Sequence, residues 1–189
     1  DPACLHVLIT DTATDDLLCC YRLLPLSDAS QIAQSYAAQF YDLTRLAGFA
    51  GPMLELGRFC LNPDHHDPDI LRLAWGVLAR LVDERGVALL FGCSSFDGAD
   101  PAAHLAGLAL LRGHLAPDHW RPEALPAAYP YARLITETPD PRAGLLALPP
   151  LLRTYLAMGG WVSDHAVQDH DLDTLHVFTA IEIARIPPA

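Results

Sequence analysis

The sequence predicts an α/β domain, and three observations carry that prediction. A polar turn at residues 11–16 separates two short apolar runs in the manner of an antiparallel hairpin. Residues 69–85 repeat apolar side chains at helical spacing. Strand-like runs lie on both sides of that helix, and strand, helix, strand, helix is the core of an α/β fold.

The elements follow in chain order. Residues 4–10 and 17–24 are the two strands of the hairpin. Residues 27–51 mix Ala, Gln and Tyr and read as a helix or an ordered loop. Residues 53–61 are a third strand, ended by Asn62-Pro63-Asp64, because proline cannot donate to a ladder and Asn and Asp favour turns. In the helix at 69–85, Ile70, Leu73, Ala74, Val77, Leu78, Leu81 and Val82 share one arc. Gly86 supplies its C-terminal stop. Residues 87–92 read as a buried strand entering a turn at 93–98, and 101–111 as a second helix. The Pro-rich stretch 117–141 reads as an irregular cover. Residues 149–158 form a short helix ended by Gly159-Gly160, and 161–168 and 176–186 are the last two strands.

With 189 residues, 51% of them hydrophobic and 19% charged, the chain can bury the core of one domain spanning 1–189. The net charge is -11, and every one of the 12 cationic residues is Arg. Nucleic acid is therefore a poor partner. An acidic protein or an anionic membrane needs a local arginine patch. Cys4, Cys19, Cys20, Cys60 and Cys93 sit in apolar runs without C-x-x-C spacing, which reads as buried thiols in a reducing compartment. The longest apolar stretch, 143–162, is interrupted by Pro149, Pro150, Arg153 and three glycines, and does not span a membrane. A start at Asp1 rather than Met predicts a further segment upstream.

The sharpest cluster is Glu55-Leu56-Gly57-Arg58-Phe59-Cys60 on the third strand. Strict alternation places Glu55, Gly57 and Phe59 on one face and Leu56, Arg58 and Cys60 on the other. A carboxylate in an apolar strand needs a partner or a purpose. Acyl transfer to an amine supplies one, since the ammonium must lose a proton before it attacks a thioester. Glu55 is the candidate base. Arg58 either forks onto an acceptor carboxylate or fixes Glu55, and Arg22 on the second strand is a structural ion pair or a ligand clamp.

Tyr21-Arg22-Leu23-Leu24-Pro25, followed by Glu55-Leu56-Gly57-Arg58-Phe59, resembles the paired signature of autoinducer synthase-like acyltransferases. Four downstream segments narrow the match: residues 90–96, 114–117, 148–156, and Asp169-His170-Asp171. Their order and spacing are similar to those of ornithine acyl-carrier-protein N-acyltransferases. The resemblance implies a GNAT fold, α/β (α+β), with a mixed, largely antiparallel sheet whose central strands splay apart, flanked by helices. It implies transfer of a 3-hydroxyacyl chain from acyl carrier protein to the α-amine of ornithine, giving lyso-ornithine lipid in bacterial aminolipid synthesis. It makes Glu55 and Arg58 catalytic, and Arg22, Phe59, Cys60, Ser94, Ser95, Asp169 and His170 substrate-binding. No separate cofactor or metal is implied, since phosphopantetheine arrives on the carrier protein. The expected setting is cytoplasmic, with peripheral contact at the inner membrane. The resemblance also implies an N-terminal helical part that is expected to lie upstream of residue 1.

One departure bears on the donor. Where coenzyme A enzymes of this superfold carry a Gly-rich loop, residues 64–69 read Asp-His-His-Asp-Pro-Asp, which favours a carrier protein over coenzyme A. Other readings are an acyl-homoserine lactone synthase sharing Arg22 and Glu55, the same transfer to another amino acid such as glutamine, and a non-catalytic module that binds carrier protein or metal. Asp164-His165, the 169–173 cluster and His65-His66-Asp67 are the metal candidates for the last. Cys60 or Cys93 as an acyl-accepting nucleophile lacks a His placed to activate it. Arg72, Arg80, Arg85, Arg112 and Arg121 are the charges available for docking a carrier.

Overall fold

The computed structural model describes residues 2–65, 67–134 and 140–187. The opening hairpin pairs β1 (Leu5–Thr10) with β2 (Leu17–Leu26). The Asp11 carboxylate closes the turn by accepting from the amides of Ala13 and Thr14 at 2.7 and 3.2 Å. Residues 27–51 form neither a long helix nor a shapeless loop. They fold into three 3-10 turns, Ala29–Gln34, Ala37–Gln39 and Thr44–Gly48, around a two-residue strand β3 (Tyr41–Asp42). Ile32, Ala37, Tyr41 and Leu46 from this segment are buried.

The third long strand, β4 (Met53–Leu61), leads into α1 (Pro68–Glu84). Ile70, Ala74, Leu78 and Val82 form the buried stripe of α1, while Leu73 from the expected arc is 54% exposed. The stripe packs on Tyr21, Leu23, Leu54, Leu56 and Leu90. The next strand, β5 (Leu89–Asp97), runs straight through the segment expected to turn at 93–98. Its continuous pairing with β9 (Thr174–Glu182) outweighs the weak strand preference of Ser94, Ser95 and Asp97.

The second predicted helix divides into a 3-10 turn and α2 (Leu105–Leu111). The Pro-rich cover contains β6 (Glu123–Ala124), β7 (Ala128–Pro130) and α3 (Tyr131–Leu134), so it is less irregular than its composition suggests. Residues 135–139 of that stretch lie outside the described residues. The apolar run beyond it holds a helix the sequence reading missed, α4 (Pro141–Ala147), capped by the Asp140 carboxylate on the Arg142 amide at 2.9 Å. Then come α5 (Pro150–Ala157) and β8 (Trp161–Asp169). The last strand stops at Glu182 rather than 186, where Ile183–Arg185 closes a 3-10 turn.

The main sheet has seven strands in the order β1-β2-β4-β5-β9-β8-β7, and β3 pairs with β6 separately. Every neighbour in the main sheet is antiparallel except β4 with β5. That central pair holds only from Met53–Leu89 to Leu56–Gly92, and beyond it the two strands part. One face of the sheet carries the helices. The other carries the 3-10 turns, whose core centres on Tyr41, Phe91 and Phe178. This is the expected mixed, largely antiparallel sheet with parted central strands. No described helix is long and apolar enough to cross a membrane.

Candidate active site

A cavity of about 410 Å³ opens where β4 and β5 separate. Gly92 sits at the apex. A Cβ there would lie 2.2 Å from the carbonyl oxygen of Leu56, so only glycine lets the strands pair that closely and then diverge.

A bulge shapes the β4 wall. Cys20 pairs with Cys60 but Arg22 pairs with Gly57, so Arg58 and Phe59 on β4 oppose Tyr21 alone on β2. Arg58 takes up the extra residue with a positive φ of 53°, a conformation costly for a side chain of its size. The bulge overturns the strict alternation expected of this strand. Glu55, Gly57, Arg58 and Cys60 face the 3-10 side, and Leu56 and Phe59 face the helices. Phe59 accordingly stacks on Tyr21 at 5.4 Å between centroids, beside α1.

Glu55 is 2% exposed and borders the cavity. Its two oxygens accept from consecutive backbone amides, Oε1 from Ala37 at 2.8 Å and Oε2 from Tyr36 at 2.9 Å. These amides open the Ala37–Gln39 turn, where a 3-10 turn leaves N–H groups without internal partners. Burial pushes the Glu55 pKa up, and the two amides and the Arg22 charge only partly offset it.

Tyr36 lies at the centre of the group. The guanidinium carbons of Arg22 and Arg58 stand 5.9 and 5.7 Å from its ring centroid. Its hydroxyl donates to Asp169 Oδ2. At Asp169 burial opposes ionisation, but the Tyr36 hydroxyl and the amides of Leu172 and Asp171 outweigh it and hold the carboxyl below its ordinary range. Nothing in the sequence marked Tyr36. Its contribution is a backbone amide, a ring and a hydroxyl inside a segment without periodicity.

The other predicted residues divide between the two faces. Cys60, Cys93 and Ser95 border the cavity on the Glu55 side, and Ser94 borders it from the helix side, where its hydroxyl accepts from Thr179 at 3.0 Å. Leu71 of α1 and Pro149, Pro150, Leu151 and Tyr155 around α5 complete the apolar wall. Asp169 is 4% exposed and stands behind Tyr36, while His170 is exposed on the β8–β9 turn; neither borders the cavity, but their neighbour Leu172 does.

The cysteines depart from the uniform burial expected of them: Cys19 is buried, Cys60 exposed and the other three intermediate. Burial pushes the Cys93 thiol well up, reinforced by Glu55 and Asp169, and burial with Cys20 raises Cys60. Neither is poised as a thiolate nucleophile. Among the described residues no three His, Cys, Asp or Glu side chains group as metal ligands, and His66 lies outside them. Of the proposed docking arginines, Arg72, Arg80 and Arg121 are paired with Asp69, Glu84 and Asp118.

Residues 1–76 match the Acetyltransferase (GNAT) domain family. Over 98% of its length the chain is 34% identical to an L-ornithine N(alpha)-acyltransferase of Brucella abortus, covering 69% of that protein. Over 96% of its length it is 35% identical to one of Rhodobacter capsulatus, covering 72%. Among solved structures, aminoglycoside 6'-N-acetyltransferase complexed with coenzyme A aligns with the whole chain and 77% of its own at a TM-score of 0.45 and 13% identity.

Proposed function

The chain belongs to the family of L-ornithine N(alpha)-acyltransferases, and on that premise we propose that it acylates the α-amine of ornithine at the mouth of the parted strands, with Glu55 as general base. The observation that carries this reading is Glu55 itself: a buried carboxylate of raised pKa, bordering the cavity and aligned by two backbone amides. A raised pKa brings a carboxylate nearer to that of the amine it must deprotonate.

The acceptor enters from the Tyr36 face. Arg58 is exposed and has no ion-pair partner among the described residues, so its fork takes the acceptor's α-carboxylate above Tyr36, with Arg22 adding a second positive charge. Glu55 removes a proton from the α-ammonium, directly or through water. The freed nitrogen attacks the thioester carbon, the N–C bond forms, and the C–S bond breaks. Nitrogen gives up two protons in all: one leaves on the sulfur as thiol, and the other passes from Glu55 to solvent. Backbone N–H groups of β4 beyond Leu56, past the end of the β5 ladder, polarise the thioester carbonyl.

The thioester arm arrives from the helix face, between α1 and α5. An acyl carrier protein suits this face better than coenzyme A. The Asp67 carboxylate caps α1 on the Asp69 amide at 2.8 Å and Pro68 has no N–H, so the helix end offers a carboxylate where a pyrophosphate would need donors. The acyl chain, 3-hydroxylated in this reading, leaves as an N-acyl amino acid, a single-chain amphiphile of the lyso-ornithine lipid kind.

The test is reconstitution with ornithine and either 3-hydroxyacyl carrier protein or the matching coenzyme A thioester, with the product fragmented in a mass spectrometer. The expected product is Nα-acylornithine, formed at least tenfold faster from the carrier protein. An acyl-homoserine lactone, acylation of glutamine in preference to ornithine, or acylation at the δ-amine overturns the acceptor assignment. Equal rates from the two donors overturn the donor assignment.

A further inference from the structure

We infer that Asp169 is a positioning residue that acts through Tyr36, and that its hydrogen bond to the Tyr36 hydroxyl sets the placement of Glu55 and of the two arginines together. This rests on Glu55 being the base.

Among the described residues both carboxylate oxygens of Asp169 are already engaged. Its Oδ1 accepts from the amides of Asp171 and Leu172 at 3.0 and 3.1 Å, and its Oδ2 accepts from Tyr36. It is 4% exposed and does not border the cavity. The nearby His176 does not neutralise it with a full charge, since burial drives that imidazole's pKa down to about 4. The carboxylate is therefore matched by a hydroxyl and two amides, and its hydrogen bond to Tyr36 crosses 133 residues.

Tyr36 converts that tie into active-site geometry. Its amide and the next one hold both oxygens of Glu55, and its ring lies beneath Arg22 and Arg58. Each contact is local to one residue, so a shift of Tyr36 displaces the base and the carboxylate clamp at once. The Asp169 bond to the Leu172 amide likewise fixes the turn that brings Leu172 to the cavity rim. Small misplacements of this kind cost large factors in rate.

The test is a double-mutant cycle on the full chain with ornithine as the varied substrate: Tyr36→Phe, Asp169→Ala, and the two combined, with Asp169→Asn as the conservative variant. Thermal unfolding of each variant separates loss of fold from loss of rate. Tyr36→Phe and Asp169→Ala are each expected to lower kcat on the order of tenfold. The double variant should be no worse than the poorer single one, because both remove the same bond. Asp169→Asn, whose amide oxygen still accepts from Tyr36, should restore most of what Ala loses, with the KM for ornithine within about threefold of the parent. Additive losses overturn the inference. So does a KM raised tenfold or more in Asp169→Asn, since that is the mark of direct contact with the acceptor's ammonium. Glu55→Gln measured alongside keeps the two ideas apart: full turnover there removes Glu55 as base, whereas an inactive Glu55→Gln with an additive cycle removes only the role of Asp169.

Discussion

As the proposed base, Glu55 meets opposed requirements for folding and for chemistry. Its folded pKa is raised, chiefly by burial, so its contribution to stability is complete below the unfolded carboxylate range and is lost as pH rises through the folded value. Activity runs the other way, because only the ionised form accepts a proton. The acid limb of the kcat profile should therefore fall at a higher pH than an ordinary carboxylate would give, and a pH titration of kcat at saturating substrates checks it. Asp169 has the opposite sign: its pKa is lowered, so its support of the fold is present above the ordinary carboxylate range and fades as pH falls through its own value. At this scale the sequence was legible where chemistry is written in side chains. Glu55, Arg22 and Arg58 stand out as charges in apolar strands. Tyr36 does not, because the amide that holds Glu55 is common to every residue but proline, and its partner Asp169 lies 133 positions away.

The elements that make the site are a bulge and a parting of strands. The bulge at Arg58 turns that side chain toward Tyr36 and sends Phe59 to the helices, reversing what a regular β4 would present. Period-two alternation cannot reveal an inserted residue, particularly one where Arg rather than Gly takes the positive φ. The parting depends on Gly92. Gly92→Ala would drive a Cβ into the Leu56 carbonyl, and overpacking of this kind costs about 1–3 kcal/mol, a fall of several degrees in Tm. It should also lower kcat, since the carbonyl that must move lies beside the amides proposed to polarise the thioester; calorimetry and steady-state kinetics on the one variant read both. An unchanged Tm and kcat would mean the strands do not need that approach. The long strands and α1 were evident from periodicity alone. α4 was hidden within an apolar run, and β5 outlasts its own propensity because β9 pairs with it along its whole length.

Over the whole molecule, the sheet separates two chemistries. The 3-10 face gathers Glu55, Tyr36 and the arginines, while the helix face gives Leu71, Leu151, Tyr155 and the prolines before it, and the cavity joins them through the gap in the sheet. In the proposed reaction a charged amino acid and an acyl thioester approach from opposite sides and meet at Glu55. The net charge of -11 disfavours an acidic carrier at long range, so a carrier docked as proposed would need local arginines near the helix face, where Arg72 and Arg80 are already paired. The most direct test is the single-turnover rate of Glu55→Gln with ornithine and a saturating acyl-carrier thioester, compared with the parent chain. General-base loss predicts a rate lower by about 10² to 10⁴, with the KM for ornithine little changed and no acid limb in the pH profile. A parental rate with the same acid limb would contradict it and place the base elsewhere.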